Sequence, residues 1–316
     1  MEKRSYLLHA LSPLHAGTGQ AADVIDLPIA RMKRTGIPIV PGSSVKGVLR
    51  DWFDGGRLAE GPHRAVFGPA THEDPATHAG ALMVHDARLL ALPVRSFRGT
   101  FAWVSSPLLL ELARRDLGDA TLPLVKILDE RCVVLPAGND LAPSLCVDSE
   151  IANGYPDVLK DPARAKAAKA YLDDLDLPVK DREKLSTAVG QWAKYIGERV
   201  YPEDSATFTR RFLLVDDETM TFFWETGTQV DTRVRIDSET RTVARGALWA
   251  EESLPPETLL VGLTSADKSR REKRAMAPAA VLDAVLAEER TLQFGGKATV
   301  GRGLCRLIPV AQGGTR

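Results

Sequence analysis

The alternation of apolar and polar positions predicts strands at both ends of the chain. Residues 5–12 place Tyr6, Leu8 and Ala10 on one face, as in a strand with one side in a core. Residues 303–310 are again largely apolar, and we predict a closing strand there. Strand-like runs and helical stretches are mixed between these ends, which indicates an α+β protein.

A second alternating stretch, near residue 230, predicts a projecting hairpin. Branched or apolar side chains alternate there with charged ones, namely Val230, Thr232, Val234 and Ile236 against Asp231, Arg233, Arg235 and Asp237. The turn-forming residues 238–240 follow, so we expect the chain to fold back as a two-stranded ribbon. Arginines lie on the polar face of that ribbon.

Helical spacing is clearest in the stretch that follows residue 42. Five apolar side chains share one face: Val45, Val48, Leu49, Trp52 and Phe53. Ser43 or Ser44 is predicted to cap this helix, and a pair of glycines after it to end it. Lys46 and Arg50 are four residues apart, so the two cations lie side by side on a second face.

The middle of the chain is richer in helix-forming residues. Two runs carry this signal, ARAKAAKAYL and DREKLSTAVGQWAKYIGERV. We therefore predict a helical insertion at residues 150–225, followed by the hairpin at residues 226–256. Residues 257–316 then return to the main body with a glycine-rich loop, so residues 1–316 form a single domain.

Charge is balanced overall but uneven along the chain. The 316 residues carry 41 Lys and Arg against 42 Asp and Glu, a formal net charge of −1. Residues 31–50 nevertheless hold five cations and no acid, and residues 268–274 are KSRREKR. A phosphate chain responds to a local basic groove and not to the sum over the molecule. The alternative interpretation of these clusters is an ordinary solvated surface.

Cysteine use and hydropathy favour a cytoplasmic protein without a membrane partner. Cys132, Cys146 and Cys305 show no CxxC spacing, which argues against a disulfide scaffold or a zinc knuckle. No apolar run approaches the roughly 20 residues that a membrane-spanning helix needs. The first residues also lack the apolar stretch and cleavage site of a signal peptide.

The sharpest local motif is the stretch FGGKATVGRGLCRL at residues 294–307. It contains four glycines and three cations: Gly295, Gly296, Gly301, Gly303, Lys297, Arg302 and Arg306. Glycines let the backbone approach a ligand closely and present its N–H groups, and the cations suit a phosphate. The motif is neither GxxxxGK[ST] nor GxGxxG. A plain glycine turn before the last strand is the alternative.

Two aspartates, Asp23 and Asp26, lie downstream of His15 in a loop rich in Gly and Pro. Asp26 precedes Leu27-Pro28, which predicts an extended and exposed segment. A carboxylate beside a scissile phosphate can hold a divalent metal or accept a proton from a ribose 2′-hydroxyl. The alternative is a loop aspartate that bonds its own backbone.

Four stretches together resemble the RAMP superfamily, most closely the backbone subunit of the type III-B (Cmr) CRISPR effector complex. They are HAGTGQAADVIDLPIARMKRTGIPIVPGSSVKGVLR, HAGALMVHDARLLALPVRSFRGTFAWVSSP, RVRIDSETRTVARGALWAEESLPPET and QFGGKATVGRGLCRL. They follow the order of the family and span nearly the whole chain. The helical insertion matches only loosely, so no residue role is carried over there.

The resemblance implies a fold and a set of partners. The whole chain would be a single RAMP domain with a ferredoxin-like, RRM-related palm, a helical insertion and a protruding β-hairpin thumb. Copies would stack head to tail along a guide CRISPR RNA, together with other subunits of the type III-B complex. The thumb would push between the guide and the complementary target RNA and flip out one base pair per subunit.

The resemblance also assigns roles to residues. Asp26 matches the catalytic aspartate and would bind the metal cofactor, Mg²⁺ or Mn²⁺, with Asp23 as a possible substitute ligand. His15 would orient the RNA or assist proton transfer. The implied chemistry is attack by the adjacent 2′-hydroxyl, which leaves a cyclic phosphate. The implied RNA-binding residues are Ser43, Lys46, Arg50, Arg233, Arg235, Gly295, Gly296, Lys297, Gly301, Arg302 and Gly303.

The implied function is that of a metal-dependent endoribonuclease, active within the assembled complex, which cuts target RNA at regular intervals. Three alternatives stay open. A guide-RNA coat without nuclease activity would bind guide strongly and with salt sensitivity, but would not cut the target. A sibling backbone subunit of a type III-A complex is a second. The third, an enzyme using the glycine loop for a nucleotide, would bind free nucleotide as a monomer.

Overall fold

A computed structural model of the chain describes residues 1–17, 25–54, 56–69, 78–97, 99–126, 128, 130–137, 169–180, 183–269 and 275–310. The chain divides into two compact units. Unit 1 comprises Met1–Arg88, Thr228–Pro256 and Leu260–Gln312, and unit 2 comprises Leu89–Gly227, Glu257–Leu259 and Gly313–Arg316. Among the helices of the described ranges, none is long and apolar enough to cross a membrane.

Strands and helices of the described residues alternate irregularly along the chain. The strands are β1 (Glu2–Ala10), β2 (Ile39–Val40), β3 (Leu82–Val84), β4 (Ala87–Arg95), β5 (Phe101–Ser105), β6 (Val133–Val134), β7 (Lys169–Leu172), β8 (Leu175–Pro178), β9 (Phe212–Val215), β10 (Gln229–Ile236), β11 (Val243–Ser253), β12 (Leu259–Ala266), β13 (Arg290–Gln293) and β14 (Leu304–Val310). The helices are α1 (Gly42–Asp54), α2 (Glu60–Phe67), α3 (Pro107–Leu117), α4 (Glu183–Val200), α5 (Ser205–Thr209), α6 (Asp217–Thr226) and α7 (Pro278–Leu286). The predicted α+β fold class is confirmed.

The opening strand is an interior strand of the sheet in unit 1. The sheet order there is β13-β14-β1-β12, and β1 pairs antiparallel with β14 from Ser5 opposite Val310 to Ala10 opposite Cys305. Residues 5–10 are all buried. The predicted strand is therefore present, but burial is not limited to the face of Tyr6, because an interior strand can be covered on both sides.

Helix α1 begins earlier than the sequence predicts. The N–H of Gly42 already belongs to the helix and donates to the carboxylate of Asp86 at 2.8 Å. Ser43 and Ser44 therefore lie inside the first turn, and the prediction that one of them is the cap is wrong. The predicted apolar face is confirmed, since Val45, Leu49 and Phe53 are buried.

Unit 2 is built on a second run of paired strands. β5 pairs antiparallel with β4 and parallel with β9, and β9 pairs antiparallel with β6. Ser106 caps α3, because its hydroxyl accepts the N–H of Leu109 at 3.4 Å. The apolar side chains of this unit include the buried ring of Trp103.

The predicted insertion at residues 150–225 is not wholly helical. It contains α4, α5 and α6, but also β7, β8 and β9. Lys169–Leu172, predicted as part of a helix, is strand β7, because the chain turns at Asp173 with a φ of 51° and pairs β7 with β8. Residues 150–168 lie outside the described residues. The boundaries of the insertion stay a prediction.

The predicted hairpin is confirmed as a two-stranded antiparallel sheet of β10 and β11. Its pairs run from Gln229 opposite Ser253 to Val234 opposite Leu248. At the tip, the carboxylate of Asp237 accepts the N–H groups of the turn. Five large apolar side chains of the hairpin are exposed by 45 to 63%: Val230, Val234, Ile236, Val243 and Leu248.

Candidate functional site

Asp26 lies on an extended segment that runs beside β11 in unit 1. Leu27 pairs with β11 through both of its main-chain polar groups. Its N–H donates to the carbonyl of Ala250 at 3.1 Å, and its carbonyl accepts the N–H of Glu252 at 3.0 Å. The carboxylate of Asp26 is exposed and accepts the N–H of Ala250 at 2.8 Å. Its partner is thus a strand 224 residues away and not its own loop. Asp23 lies outside the described residues.

His15 is a buried side chain whose ring is held by the same strand. Its Nδ1 lies 2.6 Å from the carbonyl oxygen of Glu252, and a carbonyl can only accept, so Nδ1 carries the proton. In the neutral ring the lone pair that can accept a proton is then on Nε2. A Cβ at Gly17 would lie 2.7 Å from this nitrogen, so only glycine leaves Nε2 uncovered on that side. The imidazole is therefore oriented as a proton acceptor.

The glycine loop that joins β13 and β14 packs against His15. The N–H of Gly296 donates to the carbonyl of His15 at 2.9 Å. Gly295 has a φ of 71°, and a Cβ there would overlap that same carbonyl. Gly303, with a φ of 80°, approaches the carbonyl of Phe294 as closely. Gly295 and Gly303 are therefore required by their positive φ and by the close approach of a carbonyl group. This accounts for two of the four glycines in the loop.

Lys297, at the centre of this loop, forms an ion pair with the hairpin. Its Nζ lies 2.8 Å from Oε1 of Glu251, a side chain that is 3% exposed. Trp249 donates to the same oxygen at 2.7 Å, and Arg233 lies 3.4 Å from Oε2. Burial alone would raise the pKa of Glu251, but the hydrogen bonds from Lys297 and Trp249 and the charges of Lys297 and Arg233 lower it to about 2.

Acid is expected to weaken the ion pair between Glu251 and Lys297 over a defined pH range. Because the pKa of Glu251 is about 2 in the folded chain and 4.5 ordinarily, ionised Glu251 stabilises the fold fully above about pH 4.5, and this is lost as the pH falls toward 2. Glu251→Gln should therefore flatten the fall in the free energy of unfolding between about pH 5 and pH 3. Urea unfolding followed by circular dichroism measures this. Glu225→Gln, an exposed substitution on α6, should keep the wild-type slope, and an unchanged slope in Glu251→Gln would contradict the ion pair.

Arg302 ties the end of the glycine loop to the base of the hairpin. Its side chain is 4% exposed and pairs with Asp231 of β10 and with the hydroxyl of Ser253 of β11. Asp231 lies directly opposite Glu251 in the hairpin. Two opposed carboxylates thus each receive one cation from the glycine loop. Arg302 as an RNA contact stays a prediction, and it would require its pairing with Asp231 to open.

The predicted RNA-binding cations of α1 are half-buried in unit 1. Lys46 donates to the carbonyl of Leu82 at 2.9 Å, and Arg50 donates to that of Pro69 at 2.6 Å. Burial, and then the charge of Arg50, lower the pKa of Lys46. Ser43 is exposed beside them. Their contact with RNA stays a prediction, as does that of Arg235, which is exposed on the hairpin.

The residues that organise the site were not among those singled out from the sequence. Glu251 and Glu252 are adjacent carboxylates in a β-strand, and both are buried. Two consecutive acids in an otherwise apolar run, WAEES, are the signal that could have found them, because buried carboxylates require partners.

The described residues contain no group of three or more His, Cys, Asp and Glu side chains arranged to hold a metal ion. Among the described residues, a divalent ion at Asp26 would have this one exposed carboxylate, with further ligands from water or from phosphate oxygens. A single carboxylate supplemented by substrate oxygens is a usual arrangement for Mg²⁺, so the residues present fit a substrate-dependent ion.

Comparison with known proteins assigns the family. The chain belongs to the RAMP superfamily, whose family model matches residues 7–306. It is also 30% identical over 309 residues to the CRISPR system Cmr endoribonuclease Cmr4 of Pyrococcus furiosus, which covers 96% of this chain and 95% of that protein. The predicted family is confirmed.

Two solved structures share the fold. Oligomeric Cmr4 from Pyrococcus furiosus has a TM-score of 0.70 at 23% identity, covering 98% of this chain and 99% of that one. A chain of the Type III-B Cmr-beta bound to cognate target RNA has a TM-score of 0.68 at 18% identity, covering 98% of this chain and 97% of that one. These identities are low, and the likeness is one of fold.

Proposed function

We propose that the chain is a guide-RNA-binding backbone subunit of a type III-B CRISPR effector complex, and that it cuts complementary target RNA at regular intervals. The similarity to the Cmr4 endoribonuclease over 96% of the chain supports this. The observation that carries the cleavage function is the position of Asp26. Its exposed carboxylate is bound to the base of a hairpin that exposes five large apolar side chains.

The hairpin acts as the thumb, and the sheet of unit 1 with α1 forms a ferredoxin-like, RRM-related palm. Leu248 and Ala250 lie on the same face of β11, about 7 Å apart along the strand. A base displaced from the guide–target duplex would rest on the exposed apolar side chains near Leu248. Its sugar and phosphate would then lie toward Ala250, beside Asp26.

The reaction is attack by a ribose 2′-oxygen on the adjacent phosphorus. The 2′-hydroxyl gives up its proton, the new O–P bond forms, and the bond to the 5′-oxygen breaks. A cyclic phosphate and a 5′-hydroxyl result, with the last proton coming from water. Asp26 accepts the first proton or holds the ion beside it, and Nε2 of His15 orients the RNA or assists that transfer. Mg²⁺ or Mn²⁺, when bound, neutralises charge on the phosphate.

Guide RNA binding uses the backbone of the RNA and not its bases. Lys46, Arg50 and the glycine loop line the guide, and such contacts carry no sequence information, which suits a subunit that accepts any guide. Copies of the chain stack head to tail through a heterologous contact, beside other subunits of the complex. The assembly works in the cytoplasm.

Chelation of divalent ions is expected to separate cutting from binding. In the complex assembled with guide RNA, a labelled complementary RNA should be cut at regularly spaced sites, because each subunit presents one Asp26. EDTA should abolish the cuts and leave target binding intact, and Mg²⁺ or Mn²⁺ should restore them. Gel analysis of products and filter binding on the same samples measure both. Tight, salt-sensitive guide binding without any cutting would instead indicate a coat subunit.

A further inference from the structure

One buried residue, Glu252, contacts both His15 and the segment that carries Asp26. It is 3% exposed and lies on β11. Its main-chain N–H donates to the carbonyl of Leu27 at 3.0 Å, and its carbonyl accepts the Nδ1–H of His15 at 2.6 Å. Its carboxylate accepts the N–H of Ile29 at 2.9 Å through one oxygen and pairs with Arg31 at 2.6 Å through the other.

The carboxylate is costly to bury, so its partners must compensate. A buried acid is stable only when it is paired and its remaining oxygen is hydrogen-bonded, and both conditions hold here. Arg31 also donates to the carbonyl of Gly36 at 3.3 Å, so the same guanidinium group also holds the chain near Gly36. Glu252 thus contacts residues on both sides of Asp26 in the sequence. The carboxylate of Asp26 is itself bound by Ala250, two positions before Glu252 in β11.

Glu251 and Glu252 act on opposite faces of β11 because successive side chains of a strand alternate. Glu251 turns to the glycine loop and pairs with Lys297. Glu252 turns to the segment of Asp26. The two adjacent acids therefore serve separate parts of the site.

We propose that Glu252 is a positioning residue for the cleavage reaction. It holds the segment of Asp26 and, through its carbonyl, the ring of His15 in one arrangement, and it acts on the RNA only through them. This inference rests on the proposed function. A displacement of reacting groups by about 1 Å can reduce a rate by roughly 100-fold, so the effect of losing Glu252 is measurable as a rate.

The test uses the fully assembled complex with guide RNA and five variants of this subunit: Glu252→Gln, Arg31→Met, Arg31→Lys, Asp26→Asn and the control Glu225→Gln. An amide at position 252 offers one acceptor where Ile29 and Arg31 need two. We expect Glu252→Gln to lower the single-turnover cutting rate by roughly 10- to 100-fold while target Kd changes less than about twofold. Arg31→Met should behave alike, and Arg31→Lys should recover much of the rate by keeping the ion pair.

The outcomes separate this inference from the proposed function. Cutting at the rate of the control Glu225→Gln would overturn the role of Glu252. Loss of target binding in parallel with cutting, or equal defects in Arg31→Lys and Arg31→Met, would also overturn it and leave only a role in folding. Unchanged cutting in Asp26→Asn would overturn the proposed function itself, whatever Glu252→Gln does. Assembly of each variant is checked by size-exclusion chromatography.

Discussion

Asp26→Asn is expected to stop target cutting in the assembled complex while target binding persists. Asparagine has nearly the same shape as aspartate, and its amide oxygen can still accept the N–H of Ala250, so the segment should keep its position. The substitution removes the negative charge that accepts a proton or holds a divalent ion. Loss of such a group lowers rates by roughly 100- to 10,000-fold.

The measurement follows a labelled target RNA complementary to the guide, with Mg²⁺ present and with binding recorded on the same samples. Asp174→Asn, the same substitution at an exposed turn of unit 2, is the control and should cut as the wild type does. Regularly spaced cuts at an unchanged rate in Asp26→Asn would remove this residue from the mechanism. Asp23 and His15 would then be the residues to test.

Gly295→Ala is expected to destabilise the chain more than the same substitution at Gly296 or Gly301 of the glycine loop. Gly295 has a φ of 71°, and a Cβ there would overlap the carbonyl of His15. Backbone strain and steric overlap act together, so the free energy of unfolding should fall by at least about 2 kcal/mol. The loop should also move away from His15, and cutting should decrease with it.

Two other glycines of the loop, Gly301 and Gly296, provide matched controls for this loss of stability. Gly301 has a φ of 77° but open space around a Cβ, so Gly301→Ala carries the strain alone, about 1 kcal/mol. Gly296 has an ordinary backbone and a contact of 3.5 Å, so Gly296→Ala should change stability by less than about 0.5 kcal/mol. Urea unfolding of the three variants gives the order. Equal losses for Gly295→Ala and Gly301→Ala would show that the overlap with His15 is relieved at no cost.

The elements that depend on local periodicity were predictable from the sequence. The hairpin of β10 and β11 is set by alternation and a turn, both of which are visible in a short window. The apolar face of α1 follows from helical spacing in the same way. The start of α1 was mispredicted, because the partner of its first N–H is Asp86, a side chain far along the sequence.

The site itself was predictable only in part. Resemblance pointed to Asp26 and His15, and the structure places both against β11. The pairing of Glu252 with the segment of Asp26 depends on how strands meet 223 residues apart, which no local pattern encodes. Lys297 and Arg302 were predicted to contact RNA, whereas their pairing with the buried Glu251 and with the partly exposed Asp231 was not predicted.

The alternation of Glu251 and Glu252 on β11 restricts how this protein can vary through evolution. Insertion of one residue between Ala250 and Glu251 would shift both acids by one position, and each would then lie on the face that the other occupied, either toward the glycine loop or toward the segment of Asp26. Both contacts would be lost at once. The tip of the hairpin near Asp237 has no such restriction. Natural variants should therefore differ in the length of the hairpin at its tip, with the register at the base unchanged.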